Sequence, residues 1–442
     1  MPAIEIENRI KQMNPWILHP EKATHFLSRF IPGEYVQRKA ENGPLRPNRA
    51  LLVVGPRQSG KSTMVWHLLK HLTPNILFLN MEDPLLRTGC TSATDFAEYL
   101  RSSYPGLKAL FIDEIQHMEE GGLFVKGLVD AHLEIPIVVT GSSSFDLKSK
   151  TRESLAGRAT RRLLAPFSIA EMMSHAAPHN PVAARHLFDE IFSSQLVYGS
   201  YPSIYLSPEE DEKRTLLSDL VESLVLRDAS DVFRIKRVDA FRKLLTLLAG
   251  QIGSLVSYSE LAAICNVDVG TVNAYIEILE ESHIVKRIRP FVGGKRREII
   301  GAPKVFFIDN GIRNQLLNSF SRELSLRTDR GQLFENWVFT EIYKVLPIQS
   351  SLRFWRSKTK AEVDFILDHA GALHALEVKF SSLKTATVSR SSWSFMEAYH
   401  PKTFAVLNLT LEERTKMKDG EIEFTTPRSF SRWLEGIFKN LS

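Results

Sequence analysis

Eight residues, Gly55-Pro56-Arg57-Gln58-Ser59-Gly60-Lys61-Ser62, carry the spacing G-x-x-x-x-G-K-[ST]. Glycines at the two ends of such a loop let backbone N–H groups close around a phosphate where a Cβ would interfere. A helix starting at the last of them adds the positive end of its dipole. Lys61 then reaches the β- and γ-phosphates and Ser62 ligates Mg²⁺. The expected set for holding ATP is Gly55, Arg57, Gln58, Ser59, Gly60, Lys61, Ser62 and Thr63, with Ser62 on the metal. A second constellation follows at Asp113-Glu114, an acid pair closing an apolar run. After a phosphate loop, the first acid orients the metal ion and the second polarises the attacking water. Lys61, Asp113 and Glu114 are therefore the expected catalytic residues, with Asp113 the second metal-side group.

These groups need a frame that points them at one place. Ala50–Val54 reads as a buried strand before the loop, and Thr63–Leu69 as a helix after it. The runs 75–80, 107–112 and 135–140 read as further strands, separated by helical patterns. Short apolar strands alternating with helices predict a parallel sheet covered on both faces. At 442 residues the chain exceeds one core and predicts two or three domains. Its 43% hydrophobic and 24% charged residues are ordinary for a globular protein, and a net charge of +5 permits nucleic acid as a partner without requiring it. Cys90 and Cys265 have no metal-ligand spacing and exclude a disulfide framework. No apolar run reaches the ~18 residues of a membrane span, and the amino terminus lacks a signal pattern. A cytoplasmic protein without a membrane partner is expected.

The loop, the acid pair and the strand ending Val139-Thr140-Gly141-Ser142-Ser143-Ser144 together resemble the AAA+ superfamily of ATPases. In that resemblance a polar residue after the last strand contacts the γ-phosphate or the water, and Ser142 or Ser143 fits; Ser143 is carried as the nucleotide contact. The stretches Glu153-Ser154-Leu155-Ala156-Gly157-Arg158 and Leu164-Ala165-Pro166-Phe167-Ser168-Ile169-Ala170-Glu171 are similar to a prokaryotic AAA+ branch. The resemblance covers roughly 46–175. It places Arg158 where an arginine finger approaches a neighbour's γ-phosphate, with Arg152, Arg161 and Arg162 as alternatives. A finger acting in trans implies a homo-oligomer, such as a ring or hexamer.

Further on, Ser257–Cys265 reads as a capped helix, 266–270 as a turn, and 271–279 as a second helix with Val272, Tyr275, Ile276 and Leu279 on one face. The segments 284–289 and 296–300, flanking Gly293-Gly294-Lys295, read as a basic hairpin. Helix-turn-helix plus hairpin is a winged helix. Lys286, Arg287, Arg289, Lys295, Arg296 and Arg297 are its candidate DNA-phosphate contacts. The second helix offers little to read bases with, so non-specific DNA contact and protein docking both stay open.

Near the carboxyl end, Glu335 falls in a helical run, Asp364 in an alternating strand, and Glu377 and Lys379 in the next. Residues 368–371 close the hairpin between the two strands. Three carboxylates and a lysine on one face are costly unless they bind a divalent ion that activates water. Glu335, Asp364, Glu377 and Lys379 thus form a possible second metal site. The pattern resembles the PD-(D/E)XK nuclease fold. With Tyr198-Gly199-Ser200-Tyr201-Pro202 and Val305–Gly311, the stretch 195–410 is similar to an uncharacterised domain fused to this AAA+ branch.

The expected fold is α/β: a phosphate-loop AAA+ parallel sheet, then a helical and winged-helix module, then an α+β nuclease-like domain. The expected boundaries are 1–45 lead-in, 46–175 ATPase core, 176–250 helical linker, 251–320 winged helix and 321–442 nuclease-like domain. The expected activity is ATP hydrolysis with Mg²⁺, coupled to work on DNA. The alternatives are a nucleotide-switched scaffold and an ATP-gated nuclease.

Overall fold

The computed structural model describes residues 4–141, 155–224, 235–291, 301–417 and 420–439. The chain divides into two compact units, 1–167 with 281–283, and 168–280 with 284–442.

The first unit is built on five strands: β1 (Ala50–Val54), β2 (Ile76–Asn80), β3 (Ala109–Asp113), β4 (Ile137–Gly141) and β5 (Ala159–Leu163). They lie in the order β2-β3-β4-β1-β5, every neighbouring pair parallel. Side chains alternate across the sheet, so Leu52, Val54, Leu77, Leu79, Leu110 and Ile112 enter one core while Leu51, Val53, Ile76, Phe78 and Phe111 enter the other. Its helices include α1 (Ile4–Met13), α2 (Lys61–Leu69), α3 (Ala93–Ser103) and α4 (Gly121–Asp130).

The first 45 residues belong to this unit rather than leading into it. β2 is an edge strand, whose free backbone groups need cover. Asn14 supplies it: its Nδ2 donates to the Phe78 carbonyl at 2.9 Å and its Oδ1 accepts from the Phe78 N–H at 2.6 Å. Trp16 adds an Nε1 bond to the Ile76 carbonyl at 2.9 Å and packs edge-on against Trp66 of α2.

The second unit begins with α5 (Ile169–Ala176) and α6 (Pro181–Tyr198), and continues to α7 (Tyr258–Cys265) and α8 (Val269–Glu281). After β6 (Val285–Phe291) and β7 (Lys304–Phe307) come α9 (Asn310–Leu316) and α10 (Arg330–Val345). Then follow β8 (Ser351–Arg356), β9 (Glu362–His369), β10 (Ala372–Val378), α11 (Arg390–Tyr399), β11 (Thr403–Leu407), β12 (Glu413–Met417), β13 (Gly420–Thr425) and α12 (Pro427–Lys439). All eight strands form one mixed sheet, β12-β13-β11-β10-β9-β8-β6-β7.

The strand paired antiparallel with β6 is β7, at 304–307; the expected second strand, 296–300, lies outside the described residues. β6 also pairs in parallel with β8, Arg289 beside Arg353. The strands that follow α8 therefore share one sheet with the carboxyl-terminal strands. The hairpin of β9 and β10 closes at Ala370 and Gly371, both at positive φ, as a two-residue turn matched to strand twist requires. Among the described residues no helix is long and apolar enough to cross a membrane.

Candidate functional site

The phosphate loop leaves the end of β1 and enters α2 at Lys61. Gln58 (φ 57°) and Gly60 (φ 86°) take left-handed backbone that turns successive N–H groups inward. A Cβ on Gly55 would collide with the carbonyl oxygen of Leu164, so this position must be glycine for the loop to lie against the chain leaving β5. Lys61 is buried, and its Nζ donates to the Gly55 and Pro56 carbonyls at 3.1 and 2.9 Å. Ser59 Oγ donates to the Pro56 carbonyl at 2.9 Å.

Across the mouth of the loop, β3 ends at Asp113. Ser62 Oγ donates to Asp113 Oδ1 at 2.9 Å, and Thr140 Oγ1 donates to the same oxygen. Thr140 Oγ1 also accepts the Glu114 N–H at 3.0 Å. Glu114 holds left-handed φ of 55°, which costs a non-glycine residue about 1–2 kcal/mol, and Gln116 Nε2 donates to its Oε2. Burial raises the Asp113 carboxyl to about 6, and the adjacent Glu114 adds to the rise, while Thr140, Ser62 and Lys61 oppose it. The donor set suits Mg²⁺, which takes one or two protein oxygens and completes its shell from water and phosphate. Ser62 and Asp113 would hold the ion, and the cradle of N–H groups with Lys61 would hold the phosphates.

Two positions here escape the sequence motifs. Thr140 is the polar strand-end group that bridges both acids; the serines expected in that role, Ser142 and Ser143, lie outside the described residues. Arg38 arrives from the amino-terminal segment and is almost fully buried. Its two terminal nitrogens donate to the Ser59 carbonyl at 3.0 Å and the Ala165 carbonyl at 2.6 Å, and its guanidinium lies 4.7 Å from the centre of the Phe167 ring. It ties the phosphate loop to the chain following β5.

Arg158 immediately precedes β5, and Ala159 pairs with Ala50 at the start of β1. The phosphate loop follows the other end of β1, roughly 16 Å away at ~3.3 Å per residue. Arg158 donates from Nε to Asp130 at 2.6 Å and stays partly exposed. Arg162 is bonded to the Ala40 carbonyl at 3.0 Å, and Arg152 lies outside the described residues. The serine and glutamate of Ser168-Ile169-Ala170-Glu171 form a capping box on α5. Buried Glu341 of α10 accepts the Ile169 N–H at 3.1 Å, so this stretch fixes a helix start.

The basic residues expected on the winged helix divide. Arg287 is mostly buried, donating to Glu280 at 2.7 Å, to Tyr258 and to Asn273, and so is not free for a phosphate. Lys286 reaches Glu280 at 3.5 Å, Arg289 is exposed, and Lys295, Arg296 and Arg297 lie outside the described residues. Val272, Tyr275, Ile276 and Leu279 are all buried on α8.

In the second expected site Asp364 lies close enough to Glu335 and Glu377 for both to raise its carboxyl, while Lys379 pairs with Glu377. Opposite Phe354, β9 carries two residues, Asp364 and Phe365, a bulge that re-aims Asp364. Asp364 Oδ2 accepts the Val378 N–H at 2.7 Å. Glu335 pairs not with a metal-side acid but with Lys304 of β7, whose Nζ lies 3.1 Å from Glu335 and 2.5 Å from Glu362. Burial works against the Lys304 charge, yet Glu335, Asp364 and Glu362 raise it on balance. Burial and the nearby Glu335 push Asp364 up, toward its neutral form. Glu377 turns to Ser389 and Ser392, which donate to its Oε2, and meets Lys379 at 3.2 Å. Among the described residues no group of three or more His, Cys, Asp or Glu is placed to hold a metal ion. The ammonium of Lys304 sits among these carboxylates and offsets part of their charge.

The motifs 198–202 and 305–311 prove to be halves of one buried lock. Asp309 accepts the N–H groups of Ser200, Gly311 and Ile312 at 2.7, 2.8 and 3.3 Å, and burial raises its carboxyl to about 6. Asn314 donates to the Leu196 and Val197 carbonyls, and Asn336 joins Phe307 to Asn310.

Comparison with known proteins agrees with this division. Residues 47–173 match a family model described as an AAA domain. Residues 189–323 and 330–427 match two domains of unknown function (DUF8612 and DUF4143). The parallel five-stranded sheet with its helices fits a phosphate-loop AAA+ fold. The two later matches meet between β7 and β8, inside a single sheet. Relatives include an uncharacterized protein of Haemophilus influenzae, 27% identical over 74% of this chain and 82% of that protein. Another, from Mycobacterium tuberculosis, is 26% identical over 77% of this chain and 72% of that one. Among solved structures, the replication initiator DnaA bound to AMPPCP and single-stranded DNA aligns with 57% of this chain and 92% of its own at 14% identity and a TM-score of 0.28. Cdc6p from Pyrobaculum aerophilum aligns with 66% and 98% at 12% identity and a TM-score of 0.26. Likenesses at these scores carry no functional argument.

Proposed function

We propose that the first unit binds ATP with Mg²⁺ and hydrolyses it, and that the second unit couples this cycle to DNA. The observation that carries the reading is the bridge of Thr140 between Asp113 and Glu114, with Ser62 on the same carboxylate oxygen. The ion, when bound, neutralises charge on the transferred phosphoryl group. Lys61 adds a positive charge at the loop, and Glu114 would act as the base that takes a proton from water. Arg158 is too far along the sheet to serve its own loop, so it would act on a neighbouring copy, and activity would depend on assembly.

The second unit is read as a binding module. A nuclease centre is disfavoured by Lys304, which already neutralises Glu335 and Glu362. The test is ATP turnover measured against protein concentration, with and without single-stranded, duplex and forked DNA. Turnover rising with concentration, stimulated by DNA and abolished in Lys61→Ala supports the reading. Full turnover in Lys61→Ala would remove it.

A further inference from the structure

The carboxyl-terminal sheet gathers cations at one end. β6, β8, β10 and β11 all run toward that end and β9 starts from it, as the pairings Phe291–Trp355, Arg356–Glu362 and Val378–Leu407 require. The segments leaving there, 357–361 and 379–389, are therefore neighbours. Neither 350–361 nor 378–396 contains an aspartate or glutamate. Lys358, Lys360, Lys384 and Arg390 are exposed, and none has an ion-pair partner among the described residues. The cations at this end that are paired, Arg356 and Lys379, meet Glu362 across the β8–β9 ladder and Glu377 two residues before Lys379. Of the acids at this end, Glu362 and Glu377 are already paired, Glu412 accepts from the Thr426 and Ser429 hydroxyls, Glu413 opens β12, three strands or roughly 14 Å from β10, and Glu397 is one turn further along α11.

Among the described residues one exposed aromatic stands in this rim. Of the six tryptophans, five are between 1% and 7% exposed, whereas Trp393 is 41% exposed. It lies three residues after Arg390 on the outer face of α11, and that helix is anchored at its start by Ser389 and Ser392 on Glu377. An indole held on a rigid helix among unpaired cations combines the two elements that grip unpaired nucleic acid: charge for the phosphates and a flat face for a base.

We infer that the loops 357–361 and 379–389 with the first turn of α11 bind single-stranded nucleic acid, phosphates on Lys358, Lys360, Lys384 and Arg390 and a base stacked on Trp393. This rests on the reading that the second unit engages DNA and moves the contact from the winged helix, where Arg287 is already paired, to the sheet end.

The experiment titrates the full chain with an oligothymidylate of about 20 nucleotides and follows tryptophan emission. Because the other five indoles are buried, quenching on binding reports Trp393. Emission should fall on binding in the wild type, and Trp393→Phe should bind without that quenching. Trp393→Ala should weaken binding about five- to 150-fold, the range for one lost stack. Replacing Lys358, Lys360 and Lys384 together by Gln should flatten the slope of log K against log salt by about 2, at roughly 0.7 per phosphate on a single strand. All these positions are exposed, so unchanged melting serves as the folding control. No binding, quenching that persists in Trp393→Phe, an unchanged salt slope in the triple variant, or binding to anionic phosphatidylglycerol vesicles but not to the oligonucleotide would each overturn the inference. The titration needs no ATP, so a chain that fails to hydrolyse ATP but quenches as described sinks only the ATPase reading.

Discussion

Thr140→Val is the sharpest probe of the nucleotide site. Valine keeps the branched shape inside β4 and removes one hydroxyl. That hydroxyl donates to Asp113 Oδ1 and accepts the Glu114 N–H at 3.0 Å. A hydrogen bond to an ionised carboxylate is worth about 1.5–3 kcal/mol, and a buried N–H left alone costs about 1–3 kcal/mol. Even the low ends add to about 2.5 kcal/mol, and Glu114 also loses a tether that keeps it at left-handed φ. If the carboxylate term alone is expressed in the transition state, kcat falls roughly 10- to 150-fold. Steady-state ATP turnover of wild type, Thr140→Val and Thr140→Ser at saturating Mg²⁺ measures it. Thr140→Ser keeps the hydroxyl and should recover most of the rate, although it loses a methyl from a packed strand. Turnover of Thr140→Val within twofold of wild type would refute the positioning role. A Thr140→Ser variant as slow as the valine would show that packing, not the hydroxyl, is what matters.

Two further outcomes follow from buried groups. Arg38→Ala removes the fork between the Ser59 and Ala165 carbonyls, so the KM for ATP should rise about tenfold with a smaller change in kcat, and Arg38→Lys, which cannot span both oxygens, should recover only part of it. Equal losses in KM and stability for Lys and Ala would point to packing alone. Asp309→Ala orphans three backbone N–H groups and should destabilise the second unit by about 3 kcal/mol, read by denaturant melting. Because its folded carboxyl is raised from 3.8 to about 6, the ionised form costs the wild type stability above pH 6, and that cost is relieved as pH falls toward 4. The gap between wild type and Asp309→Ala should therefore widen by up to about 3 kcal/mol from pH 7 to pH 4; a constant gap would contradict the assignment.

The parts of the molecule legible in its sequence are the local ones. β1 to β4 follow from apolar runs, and Lys61, Ser62, Asp113 and Glu114 follow from spacing within a few residues of those strands. Arg38 was not legible, because it meets the loop from 21 residues upstream through carbonyl contacts that demand no motif. Thr140 was masked by the three serines behind it, which fit the same role on paper. Lys304 was invisible as a partner of Glu335 because nothing periodic links positions 31 residues apart. Arg287 looked like a free cation until Glu280 came alongside it from the preceding helix. The pairing of β6 with β8 is a choice between strands more than 60 residues apart, and alternation within either strand is the same whichever neighbour it takes.

That shared strand has a practical consequence for dissecting the protein. A fragment cut at 320 or so, where the two later family matches suggest a border, would leave β8 without its neighbour and bare a row of N–H and C=O groups. Its partner piece would carry β6 and β7 as a lone ribbon. Both fragments would tend to stick to themselves or to one another, so the helix-turn-helix and the strands after it should be expressed, purified and mutated as one body.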